Sequence, residues 1–257
     1  MGQALDEFNL RLTELRADLR LLESTFELRP RICQVLDFEK RGEVLDLARR
    51  FAALAGSQPA SFYGPMLVRL VASFERYLRY LIRDTVEDWA KKANTFEALP
   101  DGLGGRNLVL SGKAIAYSDS PREHLSIDLV ELVDNLATCR QGSKAFKLNS
   151  FAFMTQITGV TPEIIEKALG LVQVTHWWSG VGADKALQTQ LTCTRTPDTT
   201  KKAIERLKEL SRWRNNWAHG GDDEVTLTGV EVMDALEFLS AFSKALDTAV
   251  AKQVKAK

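Results

Sequence analysis

The chain has no CxxC pair, no excess of either charge, and no apolar run near the roughly 20 residues that span a bilayer. Each absence removes a class of function. Its three cysteines, Cys33, Cys139 and Cys193, are scattered and odd in number, which argues against a disulfide framework and gives no metal-ligand spacing. Reduced thiols in a cytoplasmic protein, with no metal site, are the expectation. With 34 basic and 34 acidic side chains the formal net charge is zero, so the molecule as a whole is no trap for nucleic acid, and such a role must rest on a local patch. The "GLGG" at 102–105 lacks the Lys-Ser/Thr of a phosphate-binding loop and does not follow a strand, which sets nucleotide hydrolysis aside. No Ser-His-Asp arrangement can be assigned, no cofactor is expected, and charges spaced along "MGQALDEFNLRL" argue against a leader or a membrane role.

What the chain does have is helical periodicity. At 257 residues and 45% apolar content it can build a real core. Leu5, Phe8, Leu12, Leu15, Leu19, Leu22 and Phe26 follow heptad spacing, so residues 1–29 read as a helix with one sticky edge, closed by Pro30. That edge serves either its own domain or a second subunit. A second helix is expected from Glu43 to Ala55, then a turn at "GSQPASFYGP". From Met66 the stretch "MLVRLVASFERYLRYLIRDTVEDWAKK" places Leu67, Leu70, Val71, Phe74, Leu78, Leu81 and Ile82 on one face, with Glu75 beside it.

Residues 101–198 read as an insertion of small helices. Within it "ALPDGLGGRNLVLSGKAIAYSDSPREH" is expected as loop or crossover, with "NLVL" as a short strand; a helix follows in "LSIDLVELVDNLATCRQG", and Thr161-Pro162 open another. His124 falls in the loop, and His176 with Trp177 and Trp178 reads as an aromatic knot closing a small core. Asp198 to Thr200 can cap a helix running to about His219, two glycines end it, and Thr228 with Glu231 forms a capping box for the last helix. That helix buries Val232, Ala235, Leu236, Leu239, Phe242, Leu246 and Val250.

One short stretch, "LSRWRNNWAHGG", breaks the pattern. Ala203, Leu207, Leu210, Arg214 and Trp217 lie at alternating spacings of four and three, which puts an arginine on a core-facing seam. Arg followed five positions later by His occurs once, as Arg214 and His219, and Asn215 follows the arginine. The stretch "RNNWAHG" between two long helices, with "SFERYLRYLI" in an earlier one, resembles the HEPN superfamily, specifically its prokaryotic ribonuclease-like branch of RiboL-PSP-HEPN type. The resemblance covers about residues 60–95 and 200–250. It implies an all-α fold, a four-helix bundle to which the N-terminal helix and the 101–198 insertion are additions within one domain. It also implies a homodimer whose Arg214, Asn215 and His219 line a shared cleft that cuts RNA without metal, in a toxin or phage-defence setting with an antitoxin or other defence partner.

Residue chemistry agrees on independent grounds. Cutting RNA this way needs a base for the 2′-hydroxyl, an acid for the leaving 5′-oxygen and a cation for the charge on phosphorus. Imidazole does either proton transfer near neutrality, and guanidinium matches phosphate with a planar fork. Five residues of helix is about 7.5 Å of rise and about 140° of rotation, so one subunit's pair need not converge on one phosphate; a two-fold axis brings in a second pair. Lys201, Lys202, Arg206 and Arg212 form a basic stripe able to hold RNA phosphates. Bland alternatives stand beside each reading. His219 can serve the helix dipole, Arg214 can pair with Glu75 or another acid, and the stripe can be a solvated face. Trp213 and Trp217 can stack on bases or pack in a core or dimer seam. The rival to an enzyme is a non-catalytic HEPN-like protein that binds RNA or nucleotide, or acts as a scaffold.

Overall fold

The computed structural model describes residues 2–38, 60–116, 128–219 and 227–256. Among these the fold is all-α, with no strand. Four long helices frame it: α1 (Gln3–Phe38), α2 (Ala60–Lys92), α9 (Thr196–His219) and α10 (Gly229–Ala256). The short ones are α3 (Leu103–Ala116), α4 (Leu129–Thr138), α5 (Ser150–Met154), α6 (Pro162–Leu171), α7 (Trp177–Gly182) and α8 (Lys185–Gln190), with a 3-10 turn at Phe96–Ala98. The helix expected over 43–55 and the loop carrying His124 lie outside the described residues, as do the two glycines after His219.

α2 is the centre, packed against α1, α9 and α10. Its stripe is fully inward, and Phe74 packs among Phe8 of α1, Tyr77 and Phe242 of α10 with centroids 5.7–5.9 Å apart. The heptad edge of α1 is therefore used within the subunit: Phe8, Leu12, Leu15 and Leu19 are buried on α2 and α10. Tyr77 donates its hydroxyl to the Ser243 carbonyl at 2.9 Å, tying α2 to α10. Nearby, burial first and then the Asp84 charge raise the Asp247 carboxyl, one of whose oxygens has no hydrogen-bond partner among the described residues.

Several local expectations fail. α1 continues through Pro30 to Phe38, because a proline inside a long helix forfeits one backbone bond without ending it. The turn at 56–65 is cut short: α2 starts at Ala60 and carries Gly64 and Pro65 in its first two turns. Proline costs about 3 kcal/mol in a helix interior, but Tyr63 and Leu67 are buried on either side of it, each worth about 1.5–3 kcal/mol, so tertiary burial outweighs the local preference. The stretch expected as loop or crossover carries α3 from Leu103 to Ala116, and its "NLVL" is helix, not strand. Its Asn107 and Leu110 are buried while Leu108 and Val109 are exposed, a spacing of three that no strand produces. Gly102, at φ +74°, leads into this helix, and Gly104 admits the Phe96 ring, which would lie 2.7 Å from an added Cβ.

Asp198 to Thr200 do not cap α9, which already starts at Thr196 and carries them inside its first turns. The remaining helix starts agree with the sequence. Asp128 caps α4 by accepting from Glu131 N at 3.1 Å, and Thr228 and Glu231 exchange capping bonds at the start of α10. Thr161 occupies the cap position of α6 with Pro162 first in the helix, although its side chain makes no capping bond. Trp177 and Trp178 stack at 4.0 Å over Phe242, closing the small-helix segment onto the bundle. His176 is the exposed residue before them, in a left-handed conformation.

Candidate functional site

α9 is a two-faced helix. Ala203, Leu207 and Leu210 are fully buried, and Thr199 donates to the Arg195 carbonyl in its first turn. Continuing along that stripe, Arg214 is only partly buried, so the seam leaves the core at its C-terminal end. This answers why an arginine occupies a core-facing position. Its Nη1 donates to Asn215 Oδ1 at 3.0 Å, and it meets no carboxylate among the described residues. Glu75, the acid nearest to hand in the sequence reading, instead binds Arg79 one turn along α2. His219 is exposed at the last position of the helix. Asn215, also exposed, orients the guanidinium and leaves its other nitrogens free for an anion.

The stripe of basic residues divides. Residues 7, 11 and 18 apart on a helix return to within about 20° of one direction, so Lys201, Lys208, Arg212 and His219 share a face. All four are exposed. Lys208 is held by Glu163 at 2.9 Å, and its ammonium keeps that carboxyl below its ordinary value. Lys202 donates to the Leu191 carbonyl at 3.0 Å. Arg206 is engaged elsewhere: its guanidinium binds both Glu209 and Asp234 and lies 5.0 Å from the centre of the Trp213 ring. Lys201 and Arg212 thus remain as the exposed cations of the stripe with neither an ion pair nor a side-chain hydrogen bond among the described residues.

Neither tryptophan of the motif is presented to solvent as a stacking platform. Trp213 is 7% exposed and belongs to the core. Trp217 is partly buried against α2, where the backbone of Gly64 meets its indole so closely that an added Cβ would lie 2.1–2.4 Å from three ring carbons. This contact was missed in the sequence, because Gly64 and Pro65 read together as a turn. Tyr63, beside Gly64, is 8% exposed; burial first, then the Glu23 charge, raise its hydroxyl. Its hydroxyl and the Glu23 carboxylate both lie over Gly229, so α1, α2 and the start of α10 meet near this end of the bundle.

The site is a surface, not a pocket. A cavity of about 570 Å³ lies instead against the far end of α2, between Glu87, Lys91, Glu131 and Lys147. Its Glu87 and Lys91 are 23 and 27 residues from Gly64, roughly 35 to 40 Å along the helix. Its mixed charges and internally bonded amides, such as Asn135 to Asn149 at 3.0 Å, bring together none of the motif residues. No group of three metal-ligating side chains occurs among the described residues, and no helix there is long and apolar enough to cross a membrane.

An all-α bundle with an Arg-Asn pair and a terminal histidine at the end of one long helix defines a class, and a family model agrees with it. The RiboL-PSP-HEPN model matches residues 45–252, and the chain belongs to that family. The match runs through residues 101–198, so it is wider than the two helical stretches that carry the resemblance in the sequence. No curated protein and no solved structure matches the chain.

Proposed function

We propose that the protein is an endoribonuclease that cuts single-stranded RNA without a catalytic metal, leaving 2′,3′-cyclic phosphate and 5′-hydroxyl ends. The observation that carries this reading is the state of Arg214: partly buried, oriented by Asn215 and unpaired with any carboxylate among the described residues, one turn and a half before an exposed His219. A guanidinium kept in place but not neutralised suits a phosphate that gains charge in the transition state. Family membership supports an RNase-type or nucleotide-related role, and the more specific chemistry rests on these residues.

In this mechanism one His219 takes the 2′-hydroxyl proton, the second His219 of a homodimer protonates the leaving 5′-oxygen, and Arg214 stabilises the pentavalent phosphorus. Divergence of Arg214 and His219 by about 140° around α9 favours the two-subunit arrangement. Lys201, Lys202 and Arg212 hold flanking phosphates, while Arg206 holds the helix that carries them. A toxin or phage-defence role, with a restraining partner protein, is the setting we assign. The test is incubation of the full chain with single-stranded RNA in excess chelator. The 5′ ends of the products should accept phosphate from polynucleotide kinase without prior phosphatase, their 3′ ends should stay blocked to ligation until the cyclic phosphate is removed, and 2′-O-methylated RNA and DNA should stay whole. Ends bearing 5′-phosphate, or cutting of DNA, would remove this chemistry; binding without cutting would favour the non-catalytic HEPN-like alternative.

A further inference from the structure

We propose that Gly64 is a positioning residue for Arg214 and His219, acting through Trp217; the inference rests on the ribonuclease reading above. Trp217 lies three residues after Arg214 and two before His219, so it is the one large side chain of the final turn of α9 between them. Beyond Leu210 and Trp213, Trp217 is the residue of the helix that packs against the hydrophobic core; Arg214 and Asn216 are partly buried, and Asn215, Ala218 and His219 are exposed. What holds the turn is the indole lying on bare backbone. A Cβ at Gly64 would sit 2.1, 2.2 and 2.4 Å from Trp217 Cδ2, Cε3 and Cε2, against an ordinary contact of 3.4–4 Å.

The indole therefore has to move by more than an ångström if Gly64 gains a methyl group, and the turn it anchors moves with it. Catalytic geometry is sensitive at that scale, since misplacement by about 1 Å can cost about a hundredfold in rate. Binding of RNA along Lys201 and Arg212 is set by earlier turns of α9 and does not depend on the lock. Alanine is also the better helix former, so Gly64→Ala separates a positional effect from loss of helix.

The experiment is a double-mutant cycle on the full chain with a single-stranded RNA oligonucleotide. Gly64→Ala should lower kcat at least tenfold with KM within threefold and the far-ultraviolet circular dichroism unchanged. Gly112→Ala, at a helical glycine with open space around it, should match the wild type. In a Trp217→Val background, adding Gly64→Ala should change kcat by less than threefold, because the clashing ring is gone. Full activity of Gly64→Ala, or equal losses in both backgrounds, would overturn the proposal. Should Gly64→Ala fail to fold, Trp217→Val alone carries the test: kcat falls with KM held, or the lock is not one. If the wild type cuts no RNA, the ribonuclease reading fails by itself, and the lock is then judged from nuclear magnetic resonance. The Arg214 Nε and His219 ring signals should shift in Gly64→Ala and stay in place in Gly112→Ala; unmoved signals in Gly64→Ala would sink it.

Discussion

Arg206 and Arg214 stand eight residues apart on the same helix and lead opposite lives. Arg206 is 15% exposed, gripped by Glu209 and Asp234 and laid against Trp213; Arg214 is partly buried with one amide for company. Arg206 satisfies its charge internally and holds α9 to α10. Arg214 leaves most of its donors unspent. Within one helix, therefore, the neighbours of a guanidinium and not its sequence type decide whether its charge is satisfied internally or left open to an anion, and substitutions at the two positions should fail in different ways.

The largest effect is expected at the unpaired end. Arg214→Ala or His219→Ala should lower RNA cutting at least a hundredfold, the usual worth of a positioned proton donor or charge, while the unfolding free energy falls by no more than about 1 kcal/mol. Cleavage assays beside calorimetry check this, and joint loss of fold and activity would put Arg214 in the same class as Arg206. Next is assembly. Inactive His219→Ala mixed in excess with wild type should depress activity beyond dilution, since mixed dimers lack one of the two imidazoles; a monomer cutting at full rate in sedimentation-checked samples would contradict it.

Arg206→Ala should do the reverse of Arg214→Ala. It removes a partner from two carboxylates that are themselves one-third to one-half exposed, so solvent screening keeps the loss to about 1–2 kcal/mol, visible in a denaturant midpoint, with cutting per folded molecule unchanged. The double variant Lys201→Ala/Arg212→Ala should leave stability alone and weaken RNA binding several-fold, with a shallower dependence on salt read from binding isotherms.

The smallest effect sharpens the comparison from the acidic side. Asp247, like Arg214, lacks an ionic partner among the described residues, but it is half-buried and its carboxyl is raised by burial and then by Asp84. A carboxyl raised in the folded state binds its proton more tightly there than in the unfolded chain. It therefore favours folding most at low pH and loses that contribution as pH rises through the folded value. Melting temperatures from acid to neutral pH should show this loss in the wild type and not in Asp247→Asn.

Much of this was legible in the sequence where the determinants are local. The capping box at Thr228 and Glu231, the Asp128 region helix and the buried stripes of α2 and α10 need only spacing and side-chain reach, and each stands as read. Gly64-Pro65 and "NLVL" were misread for one reason: propensity treats a breaker or a short apolar run by itself, while burial of Tyr63, Leu67 and Leu110 is decided by other helices; Pro30 was misread because one lost backbone bond does not end a long helix. The position of Arg214 on the inward seam was visible, but not that the core ends before it. Trp217 was open between core, interface and base stacking, and the partner that decides, a backbone with no side chain, lies more than 150 residues away in the chain.

The stacked pair Trp177–Trp178 has an optical consequence. Two indoles with centroids 4.0 Å apart and planes 26° from parallel couple their electronic transitions, so the protein should carry an exciton couplet in its ultraviolet circular dichroism. Because the pair sits where the small helices meet Phe242, the couplet reports one junction only. Followed during unfolding, it would disappear when α7 parts from α9 and α10, whether or not those helices have yet melted.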